Sequence, residues 1–107
     1  MVAKDYLLEM LVEYTARKAT KMNASTRKLE AIAGVQMARV AVEVGDRIAE
    51  SLVHESRGLP RCSLCGHGPF TYRGLYLHLL RKHYDEIKQL LEEEFEYTIK
   101  MLKFVAP

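Results

Sequence analysis

At 107 residues, with a net charge of +2 and 49% hydrophobic residues, the chain has the composition of a small globular protein with one or two compact units, which excludes a disordered tail. No apolar run approaches the roughly 20 residues that cross a bilayer, and Lys4, Asp5 and Glu9 interrupt the stretch a signal peptide needs. An intracellular protein, cytoplasmic or nucleoid-associated and not a membrane one, is expected. The only amides, Asn23, Gln36 and Gln89, stand against abundant Glu, Lys and Arg and lean toward a thermophilic source.

In chain order, Tyr6, Leu7, Met10, Leu11 and Tyr14 recur at helical spacing and predict an amphipathic helix over about residues 4 to 21. Asn23 or Ser25 can cap a second element, in which Leu29, Ile32, Ala33, Met37, Val40, Val44, Ile48 and Leu52 recur every three or four residues. Its end falls near Ser56, before Gly58 and Pro60, which gives a helix of residues 25 to 56 about 45 Å long. Gly34 and Gly45 each oppose that helix by about 1 kcal/mol and mark places for a bend or break. RVAVEV, residues 39 to 44, alternates like a strand, but the surrounding alanines favour helix. Ala31, Ala33, Gly34, Ala38 and Ala41 admit a close helix partner, either the first helix or a second copy. The apolar stripe is longer than the first helix can cover, so a homodimer is expected unless the C-terminal helix covers it within one chain.

Next come the only two cysteines, in the pattern Cys62-x2-Cys65-x12-His78-x4-His83. Two thiolates from a tight turn and two imidazoles about one helical turn apart match a tetrahedral structural zinc site, one ion per chain. The competing readings are two buried free thiols with surface histidines, or a strained Cys62–Cys65 disulfide; neither accounts for all four positions. Phe70 and Leu75 supply the apolar pair such a small unit packs under its metal.

Over about residues 59 to 84 these ligands make the chain resemble the Cys2His2 (ββα) zinc-finger family, as a single finger. The gaps from Cys65 to Phe70 and from Phe70 to Leu75 are both x4, which shifts the expected hairpin by one residue relative to the family pattern. Pro60 stands where the family carries an aromatic, leaving Leu59 or Leu64 to supply that wall. The resemblance implies that Thr71, Arg73, Gly74 and Leu77 occupy the base-reading positions, and of these only Arg73 can make a bidentate contact to guanine. By size and composition the chain is also similar to small single-finger proteins of archaea and their viruses, which implies an archaeal or virus-encoded protein acting in the host cell.

From Arg73 no breaker follows, so the finger helix is expected to continue through Tyr84, Ile87, Leu91, Phe95, Ile99 and Leu102 to about Phe104. The expected fold is mainly α: a helical hairpin or dimerisation region over 1–57, a ββα-like finger over 58–84, and an extension of the finger helix over 85–107.

Charge is uneven along this plan. Arg17, Lys18, Lys21, Arg27 and Lys28 form one acid-free run, Arg57, Arg61, Arg73, Arg81 and Lys82 another, and Glu92, Glu93, Glu94 and Glu96 an acidic patch. If the turn near Asn23 folds against the finger, ten cations can line one side and contact phosphates, DNA foremost and RNA as an option. Solvated surface charge is the plainer explanation of each run, and Tyr72 and Tyr76 can either stack on bases or cover the core edge. His54 and His67 are candidates for a fifth ligand or a catalytic water site, but His67, between two glycines of the finger loop, reads better as an exposed side chain or a donor to a ligand. There is no glycine-rich phosphate loop, no paired carboxylates and no spare cysteine, so an enzyme is not expected. The function expected is a small DNA-binding regulator of transcription that contacts mainly the phosphate backbone. The alternative is a protein-interaction or assembly subunit whose finger is purely structural.

Overall fold

The computed structural model describes residues 2–105, so residues 1, 106 and 107 of the expected terminal segments lie outside the described residues. The order is α1 (Val2–Ala19), α2 (Arg27–Ala33), α3 (Val35–Leu52), β1 (Val53–Ser56), β2 (Leu59–Cys62), α4 (Tyr72–Lys82) and α5 (Tyr84–Val105). The mainly helical class holds, with one two-stranded antiparallel sheet.

α1 carries Asp5 in its first turn and Arg17 and Lys18 in its last, the charge order that suits a helix dipole. It closes on a Schellman motif: Met22 N–H donates to Arg17 O at 2.9 Å and Lys21 N–H to Lys18 O at 3.3 Å, with Lys21 at φ 59°. Leu7, Leu8, Leu11, Val12, Tyr14, Thr15 and Ala16 are all buried, a wider face than one stripe, because α1 packs against α2, α3, α4 and α5 together. Tyr6, placed by periodicity on the apolar face, is exposed.

The expected single helix over 25–56 is two helices and a strand. Gly34, at φ 83° and ψ 163°, adopts a conformation that L side chains avoid. Its N–H still donates to Glu30 O at 2.8 Å and its C=O accepts from Ala38 N–H at 2.9 Å, so one residue ends α2 and starts α3. At the start of α2, Ser25 Oγ accepts from Arg27 N–H at 3.2 Å, whereas Asn23 makes no cap. α3 then buries Ala38, Ala41, Val44, Gly45, Ala49 and Leu52, which excludes the strand alternative for residues 39–44. Gly45 does not break the helix; it lets α1 approach, with Leu11, Thr15 and Tyr14 atoms each 3.1 Å from where a Cβ would sit. Helix gives way to strand at Val53, three residues before the expected end.

The finger helix is likewise not continuous to the C-terminus. α4 stops at Lys82, and His83 takes φ −126°, ψ 16° before α5 begins. α5 packs on α1 and α3, burying Ile87, Leu91 and Phe95. Within one chain this covers Ala38, Ala41, Val44, Ala49 and Leu52 of α3, while Met37 at the start of the expected stripe is exposed. A single core cluster draws residues from the 1–57, 58–84 and 85–107 segments. Of the four acidic residues expected to form a patch, all on α5, Glu92 and Glu96 pair with Lys4, and Glu94 with Arg47. Such exposed pairs set register more than they stabilise.

Tyr14 gives this core a measurable alkaline signature. Its hydroxyl donates to Asp46 Oδ1 at 3.0 Å, and burial first, then that bond, pushes it from 10.0 up to about 12. A raised folded value means a contribution complete below pH about 10 and lost as pH climbs through about 12. Of the six tyrosines, Tyr14 should give the last step in an ultraviolet tyrosinate titration, and Tyr14→Phe should remove that step. Titration of all six together near their ordinary value would contradict the packing.

Candidate metal centre

The hairpin that carries Cys62 pairs Val53 with Cys62, His54 with Arg61, Glu55 with Pro60 and Ser56 with Leu59. Its two-residue turn, Arg57 (φ 55°) and Gly58 (φ 80°), has the positive dihedrals that suit the twist of antiparallel strands. β2 ends on Cys62, so the hairpin runs straight into the cysteine turn, and β1 falls within the 1–57 segment expected to be helical. Ser63 N–H donates to Leu52 O at 2.9 Å and Gly66 N–H to Cys62 O at 2.8 Å, which pins the Cys62–Cys65 turn to the end of α3 and closes it on itself. Phe70 N–H returns to Pro60 O at 2.9 Å. Thr71 then caps α4, its side chain accepting from Gly74 N–H at 3.0 Å.

α4 buries Leu75 and Leu79, and His78 and His83 reach the cysteines. Residues five apart on a regular helix point about 140° apart. The break at His83 is what brings both imidazoles to one place. Phe70 and Leu75 take the expected roles: the Phe70 ring centroid is 4.8 Å from that of His78, and Leu75 is in the core. Leu64, half-buried against the core, supplies the missing wall, while Leu59 is exposed.

The donor atoms of Cys62, Cys65, His78 and His83 all lie within 4.8 Å of one another, close enough to hold a metal ion. Bonds of about 2.0 to 2.3 Å around a tetrahedral ion give edges of roughly 3.3 to 3.8 Å. Cys65 Sγ and His78 Nε2 already stand at 3.3 Å. His83 Nδ1 is 2.9 Å from Glu86 Oε1, while its Nε2 is buried with no hydrogen-bond partner. A carboxylate on one imidazole nitrogen and an orphaned lone pair on the other is the arrangement of a metal-ligating histidine. The Cys65 thiol is drawn down to about 5, chiefly by the His67 backbone N–H and then the His67 side chain, so its ligating thiolate form is available near neutral pH. Burial pushes Cys62 the other way. Glu86 was not among the residues read from the sequence; its signal was a carboxylate three residues after the second histidine. His54 is outside the cluster, with Nδ1 3.0 Å from Ser63 Oγ.

The ten expected contact cations separate into groups. Arg17 and Lys21 do approach α4, 5.4 Å from the Tyr76 ring and 5.0 Å from the Tyr72 ring. They are paired there, Arg17 with Glu13 and Lys21 with Glu55, and Lys18 pairs with Asp46. Tyr72 donates to Glu55 and Tyr76 to Glu13, so both rings face α1 and β1 as edge cover and not as stacking platforms. Arg61 donates to Gly68 O at 3.1 Å. Among the described residues Arg27, Lys28, Arg57, Arg73, Arg81 and Lys82 make no ion pair, and all six are exposed. No helix among the described residues is long and apolar enough to cross a membrane.

Comparison with protein families, curated proteins and solved structures finds no match, leaving the geometry to speak for itself.

Proposed function

We propose that this chain is a zinc-stabilised helical protein that binds nucleic acid, DNA foremost, through the phosphate backbone. Two thiolates and two imidazoles with their donor atoms within 4.8 Å of one another suit Zn2+ above harder cations. A four-ligand site is closed to substrate, so the ion's part is structural, holding the cysteine turn against α4. The observation that carries the binding reading is the outer face of α4. Arg73, Leu77 and Arg81 are exposed at successive i, i+4 positions with Lys82 beside them, and the helix contains no acid. Gly74 and Leu77 offer no hydrogen bonds to base edges, which favours backbone contact over sequence readout. The reading does not depend on a dimer.

The test is binding of the zinc-loaded protein to mixed-sequence duplex DNA, and to RNA, across a salt series, with the oligomeric state measured in the same samples. Replacing Arg73, Arg81 and Lys82 by Ala together should weaken binding at low salt and flatten the log–log salt dependence by about 2 to 3, at roughly 0.9 per lost phosphate contact. Unchanged affinity and slope would remove α4 as the contact surface. Exposed Tyr97, Met101 and Leu102 near the end of α5 favour a protein partner as the second reading, to which an absence of binding at low salt would turn.

A further inference from the structure

His67 is the third histidine of the metal region and is not one of the four ligands. Its Nδ1 lies 3.0 Å from Cys65 Sγ, on the exposed side of the cluster, and its ring centroid is 6.2 Å from that of His78. The loop that presents it is held at three points. Cys62 N–H donates to His67 O at 3.0 Å, and the Arg61 guanidinium reaches across to Gly68 O at 3.1 Å and Gly66 O at 3.5 Å. A Cβ on Gly68 would fall 2.8 Å from Arg61 Cγ, so glycine is what lets the arginine lie across the loop. Arg61 thus positions this loop and is not free to grip phosphate.

We infer that His67 is a built-in hydrogen-bond donor to the Cys65 thiolate, tuning the most exposed of the four metal ligands; this rests on the metal reading above. A metal-bound thiolate has no proton and can only accept, which places the hydrogen on His67 Nδ1. The bond draws electron density from sulfur, lowering its charge donation to the ion and its reactivity toward outside electrophiles. Cys62, buried beneath the turn, needs no such protection; Cys65 is exposed. The four-ligand set already fills a tetrahedron, so His67 acts through Cys65 and does not bind the ion.

The experiment titrates cobalt(II) into the full chain and into His67→Ala and His67→Asn, reading the thiolate-to-cobalt charge-transfer band and the affinity for Zn2+ by chelator competition. His67→Ala should still bind one ion of either metal and shift the band to longer wavelength, because the sulfur regains the charge that the hydrogen bond withdrew. His67→Asn, whose amide nitrogen takes the place of Nδ1, should restore the band. An unmoved band in His67→Ala overturns the inference, as does a shift that asparagine fails to reverse. A His67→Ala chain that binds no cobalt makes the histidine a ligand and overturns it too. If the unsubstituted chain binds neither ion, the metal reading itself has failed and this inference falls with it.

Discussion

Removing the metal, by chelator or by Cys65→Ser, is expected to release residues 59–84 from hydrogen-exchange protection while most of the helical signal persists. The division follows from what each part buries. α1, α3 and α5 share a core of Leu8, Leu11, Val44, Leu52, Ile87 and Leu91, all of which lie on helices outside residues 59–84. The stretch from Leu59 to Thr71 has one four-residue strand and a loop, and among its residues only Pro60 and Cys62 are buried. A two-stranded hairpin is marginal in water without further support. On the metal reading, binding of the ion would supply the order of this stretch, with about 10 kcal/mol as the low end for structural zinc at neutral pH. Cys65→Ser is the cleaner substitution because Cys65 is exposed; Cys62→Ser also buries a hydroxyl among apolar groups, so it should loosen the same residues and lower global stability besides. Segment-resolved hydrogen exchange with circular dichroism checks both. Protection over 59–84 that is the same with and without metal would sink the structural-metal reading.

Much of this was legible in the sequence because the constraints were local. The four ligands stand out by spacing alone, and Leu75 and Phe70 follow from what a small metal unit must bury, whereas the choice between Leu59 and Leu64 was open until the fold exposed Leu59. The helical character of residues 35–52 was legible from a three-to-four residue repeat that outweighed the RVAVEV alternation. What stayed hidden depended on distant partners. Gly34 and Gly45 carry the same local penalty, about 1 kcal/mol against alanine. One breaks the helix and the other continues it because α1 lies against Gly45, while a Cβ on Gly34 would meet nothing within 4 Å. The hairpin at 53–62 was concealed by Pro60, which weakens a strand assignment unless the strand is an edge, as both strands of a two-stranded sheet are. Its one local signal was Arg57-Gly58 between two four-residue runs. The cations misled for the same reason: their partners Glu13, Asp46 and Glu55 lie outside each acid-free run and meet it only after folding.

Gly45→Val is expected to lower stability by about 3 kcal/mol, at the upper end for overpacking a core. For a chain of this size that corresponds to a fall in Tm of roughly 12 °C or more. The Cβ alone would sit 3.1 Å from Leu11 Cδ1, Tyr14 Cδ1 and Thr15 Oγ1, and two further methyls cannot be placed without pushing α1 off α3. Thr15 Oγ1 is already buried without a hydrogen-bond partner, so no polar relaxation is available there. Helix propensity works in valine's favour by a few tenths of a kcal/mol and does not offset the clash. Leu11→Ala should separately lower stability by about 3 kcal/mol, since Leu11 is fully buried and leaves a cavity. The informative variant is the double one. The leucine cavity opens where the valine methyls press, so the pair should be less damaging than the sum by about 1 to 2 kcal/mol, within the range seen for residues in contact. Strictly additive losses in denaturant unfolding would mean that α1 does not cross α3 at Gly45. The positions of α2, α4 and α5, all packed on α1, would then have to be redrawn with it.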